Sequence, residues 1–140
     1  MKLQRNSLLA LYSLVEFAAD PTRHISAAEI AQKYDVSPHH LAKVLAELAR
    51  AGIVQSVRGV GGGYRFAANA RRLTLLDVIS RFEDVGDGTT AGNGRTQADR
   101  ALSLVLGEID EMTKATLKSI TIATLLRLMQ RQSDSAAAAR

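Results

Sequence analysis

Few side chains in this 140-residue sequence could carry acid–base or metal chemistry: there are three histidines, His24, His39 and His40, and no cysteine. Without thiols there is no disulfide, no thiolate zinc site, no cysteine-ligated iron–sulfur cluster and no thiol switch. His39 and His40 are neighbours, and neighbours on a helix point about 100° apart, a poor arrangement for chelating one ion. Ser37 and Asp77 stand in helix-capping patterns, and no nucleophile, base and oxyanion donors occur as a set. No catalytic residue, metal site or cofactor is therefore expected, and the chain is not expected to be an enzyme. The chemistry that remains is recognition of anions. The segment Arg58-Gly59-Val60-Gly61-Gly62-Gly63-Tyr64 joins a fixed positive charge with a fork of donors to glycines whose missing Cβ lets backbone amides approach phosphate. Alone, such a glycine run is an ordinary hairpin tip; its neighbours decide whether it does more.

The cations are unevenly spread. Residues 1–72 carry ten Lys and Arg against five Asp and Glu (+5), and residues 73–140 carry eight against nine (−1). A basic first half followed by a near-neutral, apolar second half fits a nucleic-acid-binding module joined to an assembly module. With 46% hydrophobic residues the chain can bury the core of one ordinary domain. No run of about eighteen apolar residues occurs, and the first residues lack the pattern of a signal peptide, so a soluble, cytoplasmic protein is expected.

The elements that would position these groups follow from periodicity. Leu8, Leu11, Tyr12, Val15 and Ala18 recur at helical spacing over Ser7 to Ala19, and Asp20-Pro21 ends that helix. Ser26 can cap a second helix running to Tyr34, with Glu29 reaching back and Ile25 stapled to Ile30. Asp35-Val36-Ser37-Pro38 is a turn into a third helix, Pro38 to about Arg50, with Ser37 as cap and Pro38 at the first helical position. Its inner face is Leu41, Val44, Leu45 and Leu48, which leaves His39, His40 and Lys43 outward. Strands Ile53–Val57 and Tyr64–Ala67 flank the glycine-rich tip as a hairpin. Thr74 and Asp77 open a fourth helix, Leu75 to Glu83, and a loop without apolar periodicity covers 86–97. From Asp99 to about Lys118, Leu102, Val105, Leu106, Ile109, Met112 and Thr116 share one helical face, and Thr121 caps a last helix. The organisation expected is a DNA-binding domain over 1–84, a flexible sensor-type loop over 85–98, dimerisation helices over 99–132 and a frayed tail over 133–140.

Helix, capped helix, short turn, helix and glycine-tipped hairpin is the order of a winged helix-turn-helix. The fold class is thus mainly α with a small β-hairpin wing and a long C-terminal dimerisation helix. The segments Ile30-Ala31, Ser37, Leu41, Leu48, Ala51-Gly52-Ile53-Val54, Ser56-Val57-Arg58-Gly59, Gly61-Gly62-Gly63-Tyr64, Leu75-Leu76-Asp77-Val78 and Thr121-Ile122-Ala123-Thr124-Leu125-Leu126 resemble the IscR/NsrR family of bacterial repressors and activators, the Rrf-two type. The resemblance implies a homodimer in which each winged domain reads one half-site of a double-stranded DNA operator, with repression the expected direction. By resemblance and outward position, Ser37, His39, His40, Lys43, Arg58, Gly59, Gly61, Gly62 and Tyr64 should face DNA. Members of the family that hold an iron–sulfur cluster place three cysteines after the fourth helix and at the start of the dimer helix; here that stretch has none, and Arg100 stands near the last position. An unidentified small-molecule or protein effector is the alternative sensor input, expected between the loop and the first turns of the dimer helix. The competing reading is a winged-helix protein-interaction module that does not read DNA.

Overall fold

The computed structural model describes residues 1–86 and 92–139. Helix α1 (Arg5–Ala19) is the centre of the core: Leu9, Leu14 and Phe17 are buried on one helix together with the small residues Ser7, Ala10 and Ser13. The buried Ser13 hydroxyl donates to the Leu9 carbonyl at 2.7 Å, so no orphaned polar group is left by its burial. Around α1 pack α2 (Ala27–Tyr34), α3 (Pro38–Arg50), the two-stranded hairpin, α4 (Leu75–Ile79), and the ends of α5 (Gln97–Ser119) and α6 (Ile122–Ala138). Leu117 of α5 and Ile122 of α6 belong to the same buried cluster as Leu41, Leu45 and Leu48 of α3.

The helix starts follow the capping chemistry, with one difference. Ser26 Oγ accepts from the Glu29 amide at 3.1 Å, but the Glu29 carboxylate pairs with Arg23 at 2.8 Å and does not reach back. A nearby guanidinium is the stronger attraction for a carboxylate than a neutral amide. After α2, Asp35 takes the left-handed conformation, φ 53°, which a short polar side chain tolerates best after glycine. The Val36 amide then bonds back to the Ala31 carbonyl at 3.0 Å. This tight turn leads into α3, where Ser37 Oγ accepts from the His40 amide at 3.3 Å and Pro38 occupies the first turn.

Strands β1 (Val54–Val57) and β2 (Gly63–Phe66) pair antiparallel in the register Val54↔Phe66 to Val57↔Gly63. The hairpin is seated by a further bridge, Ile25 to Tyr64, with amide–carbonyl distances of 2.8 and 2.9 Å. Gly63 permits it: a Cβ there would lie 2.6 Å from the Ile25 carbonyl oxygen.

Helix α4 shows the complete capping box, Thr74 Oγ1 to the Asp77 amide at 3.1 Å and Asp77 Oδ2 to the Thr74 amide at 3.0 Å. It ends at Ile79, short of the expected Glu83. Bonds of the i to i+3 kind, Arg81 to Val78 and Phe82 to Ile79, tighten the chain there. Glu83 is thereby turned onto the start of α1, where its Oε2 accepts from the Gln4 amide at 2.8 Å and the Ser7 hydroxyl at 2.6 Å. That carboxylate caps α1, whose own N-cap residue Gln4 makes no side-chain cap. At the far end, α6 continues through Ala138. The run Ala136 to Ala138 has the highest helix propensity, and Gln130 bonds Asp134 one turn on at 3.0 Å.

Residues 87–91 of the expected sensor-type loop lie outside the described residues. Both ends of the loop meet α5. A Cβ on Gly86 would touch Asp110 and Lys114, and Arg100 Nη1 donates to the carbonyls of Gly94 and Arg95 at 3.1 and 3.3 Å.

Candidate nucleic-acid interface

Helix α3 turns Leu41, Val44, Leu45 and Leu48 inward and exposes Ser37, His39, Ala42 and Lys43 along its opposite side. Ser37 spends one acceptor site on its cap, so its hydroxyl proton remains available to an anion. His40 stands apart from the other three. It is half-buried at the edge of the helix, with Nε2 2.6 Å from Asn6 Oδ1 of α1. An amide oxygen only accepts, so Nε2 is the donor. His40 therefore ties α3 to α1, a role that its one-dimensional position beside His39 did not disclose.

The orientation of α2 is set by a second polar cluster. Tyr34 donates to Glu16 at 2.6 Å, Lys33 pairs with the same carboxylate oxygen at 2.6 Å, and the Tyr34 ring stacks on Tyr12 with centroids 4.9 Å apart. Burial pushes the Glu16 carboxyl up, but hydrogen bonds from Lys33 and Tyr34 and the charges of Lys33 and Arg23 outweigh it, and Glu16 lies below the usual glutamate range. Burial, then the Glu16 contact, raises the Tyr34 phenol above its usual value.

At the wing, Arg58 and Gly59 are exposed, and Val60 stands fully in solvent between glycines. Gly61 has φ 77°, a conformation that costs other L residues. The Gly62 amide bonds the Gly59 carbonyl at 3.0 Å and closes the tip, so of the expected glycine amides this one is committed internally. Tyr64 is half-buried with its ring 6.4 Å from that of Phe17, which gives it the task of seating the wing on α1. Val60 was not among the residues that sequence reasoning singled out. Its signal was available: a β-branched apolar residue flanked by glycines has nothing in the hairpin to pack against.

The face expected to join two copies is open. Leu102 is 52% exposed, Ile109 49% and Met112 67%, with Val105, Leu106 and Thr116 exposed beside them. From Leu102 to Thr116 the stripe is about 21 Å long at 1.5 Å per residue. Thr116 Oγ1 bonds the Met112 carbonyl at 2.9 Å, which removes its polarity from that stripe. Leu117, by contrast, is buried in the core.

Residues 3–128 match the family model Rrf2, described as an iron-dependent transcriptional regulator. The chain belongs to the Rrf2 family. It is 50% identical over 130 residues to BadM of Rhodopseudomonas palustris, named as an HTH-type transcriptional regulator, covering 92% of this chain and 83% of that one. It is 31% identical over 110 residues to the HTH-type transcriptional regulator IscR of Cereibacter sphaeroides, 74% of this chain and 71% of the relative. In three dimensions it resembles CymR, the global cysteine regulator of B. subtilis, at TM-score 0.78 and 24% identity over 91% and 98% of the two chains. The IscR of T. potens aligns at TM-score 0.69 and 25% identity, over 91% and 87%. The winged-helix architecture and the class, a DNA-binding transcriptional regulator, follow from these likenesses together.

Iron, named in the Rrf2 family's description, would need ligands from the residues present. Soft thiolates are the usual holders of a cluster, and the chain has none. Among the described residues no three His, Asp or Glu side chains gather as a metal group. Near the position where a last cysteine would stand, the Arg100 guanidinium is engaged with loop carbonyls, and a fixed cation opposes a neighbouring metal. The residues do not fit a thiolate-held cluster.

Proposed function

We propose that this Rrf2-family chain is a homodimeric, sequence-specific repressor that reads double-stranded DNA and senses without an iron–sulfur cluster. The observation that carries the reading is the juxtaposition of α3, exposing Ser37, His39 and Lys43, with a wing on which Arg58, Gly59 and Gly61 are exposed. Helix α3 enters the major groove, whose width of about 12 Å admits a helix. The wing follows the backbone into the minor groove, where Arg58 supplies charge and Val60 an apolar tip, the two devices such binders use. His40 acts by holding α3 against α1, Gly62 by shaping the tip, and Tyr64 by seating it. The α5 stripe joins two copies, setting the reading helices about one DNA turn apart, near 34 Å, or a multiple. The reading places the chain on DNA in the cytoplasm; no helix of the described residues is long and apolar enough to cross a membrane. An unidentified small-molecule or protein effector acts where the loop meets α5. The chain has no enzymatic role in this reading.

Genomic footprinting with the purified protein tests the function. One or a few protected, twofold-related sites are expected, and Arg58→Ala should bind them roughly a hundredfold more weakly, since each of the two copies loses a charge-assisted contact of about 1.5 kcal/mol. Wild-type protein that protects no site, and whose weak binding does not fall with salt, would favour the protein-interaction module instead.

A further inference from the structure

Beside α3, on the flank that faces the start of α1, lies a cleft of about 280 Å³ lined by Asn6, His40, Lys43, Glu47, Arg81 and Phe82. Three elements build it: the first turn of α1, the edge of α3, and the tightened turn after α4. Its charges are not balanced. Glu47, the one carboxylate in the lining, is engaged by Arg50, whose Nε lies 3.1 Å from Glu47 Oε2. Lys43 comes from α3 and Arg81 from the turn after α4, and neither has an ion-pair partner among the described residues. Two unpaired cations in one polar cleft repel each other, and an anion between them turns that repulsion into attraction. Asn6 adds neutral donors, because its oxygen is occupied by His40 Nε2 while its amide NH2 makes no described hydrogen bond.

We propose that this cleft is a binding site for a phosphate-class oxyanion, held by Lys43 and Arg81 with the Asn6 amide as a third donor. The chemistry favours phosphate because a guanidinium and an ammonium from separate elements suit a tetrahedral group with several acceptor oxygens. Two sources offer that chemistry: a phosphodiester of the bound duplex and free inorganic phosphate. Position favours the duplex. The wing is seated on α1 at Phe17 and the cleft opens at Asn6, eleven residues earlier on the same helix, so the seat of the wing and the cleft lie roughly 16 Å apart along that axis. A recognition helix gripped on both flanks is fixed in tilt as well as depth, because backbone contacts set orientation. The duplex source rests on the DNA-reading function proposed above; the site itself does not.

The test uses the full-length protein in two arms, with Arg81→Gln as the variant and Arg131→Gln, an exposed cation on α6, as the control for net charge. In the first arm inorganic phosphate is titrated at constant ionic strength and backbone amide NMR shifts of Asn6, Lys43 and Arg81 are followed. In the second, affinity for a fluorescent duplex carrying the footprinted site is measured between 50 and 200 mM salt. Each phosphate contact contributes a slope of about −0.9 in log affinity against log salt. The homodimer presents the cleft twice, so Arg81→Gln should change the slope by about 1.8 and lose about 12-fold less affinity than wild type across that fourfold range, while Arg131→Gln behaves as wild type. A reduced slope assigns the site to the duplex. Saturable phosphate shifts that vanish in Arg81→Gln, with an unchanged slope, assign it to free phosphate. If Arg81→Gln keeps the wild-type slope and phosphate moves none of these amides, the site is refuted. Failure of wild-type protein to bind DNA at all would be a failure of the proposed function, and the phosphate titration would still decide the cleft.

Discussion

Replacing Ile109 by Glu should abolish dimerisation without unfolding the chain. Ile109 sits in the middle of the α5 stripe and is 49% exposed in the single chain. Full burial of an isoleucine side chain contributes about 1.5–3 kcal/mol, so covering the exposed half contributes about 1 kcal/mol per copy and about 2 kcal/mol per dimer. The introduced carboxylates must also leave water, near each other across a twofold seam. At several kcal/mol for a fully buried ion, a half-covered carboxylate costs about 2 kcal/mol, or about 4 kcal/mol per dimer. The sum, about 6 kcal/mol, weakens association by roughly four powers of ten, which takes a nanomolar dimer to tens of micromolar. Sedimentation velocity at micromolar concentration should then show monomer with wild-type helix content, because the substituted position is exposed before association. Operator affinity should fall with it, since each half-site loses its tethered partner. A variant that stays dimeric at micromolar concentration and binds its operator normally would refute the assignment of the stripe.

Three further outcomes follow from the geometry. Glu83→Ala removes the carboxylate that accepts from the Gln4 amide and the buried Ser7 hydroxyl, and thermal or denaturant melts should show a loss of about 1–3 kcal/mol. Asp35→Val places a β-branched residue at φ 53° and should destabilise by about 1–2 kcal/mol, whereas Asp35→Gly should not, as denaturant midpoints will show. Glu16 is held below the ordinary glutamate range mainly by Lys33 and Tyr34 against the opposing effect of burial; its ionised form therefore stabilises the fold above that range and ceases to do so as pH falls through it. Wild type should accordingly exceed Glu16→Gln in stability near neutrality and converge with it in acid, and a constant difference across pH would contradict the clamp.

Much of the fold was legible because its determinants are local. The spacing of Leu41, Val44, Leu45 and Leu48, the caps at Ser26, Ser37, Thr74 and Thr121, and the turn at Asp35 act within a few residues, and each appears where periodicity and capping chemistry put it. The wing was legible for the same reason, since strands that close on a glycine tip need only nearest neighbours. The features that sequence alone did not disclose are those in which distant segments compete for one group. Glu29 chose Arg23 over its own helix start, Glu83 crossed 76 residues of chain to cap α1 at Ser7, and His40 found Asn6 of α1. Each partner is invisible in one dimension because a hydrogen bond is decided by distance in the folded chain. The cleft of Asn6, Lys43 and Arg81 belongs to the same class: its cations are ordinary surface residues along the sequence, and only the packing of α1 against α3 and α4 brings them around one space.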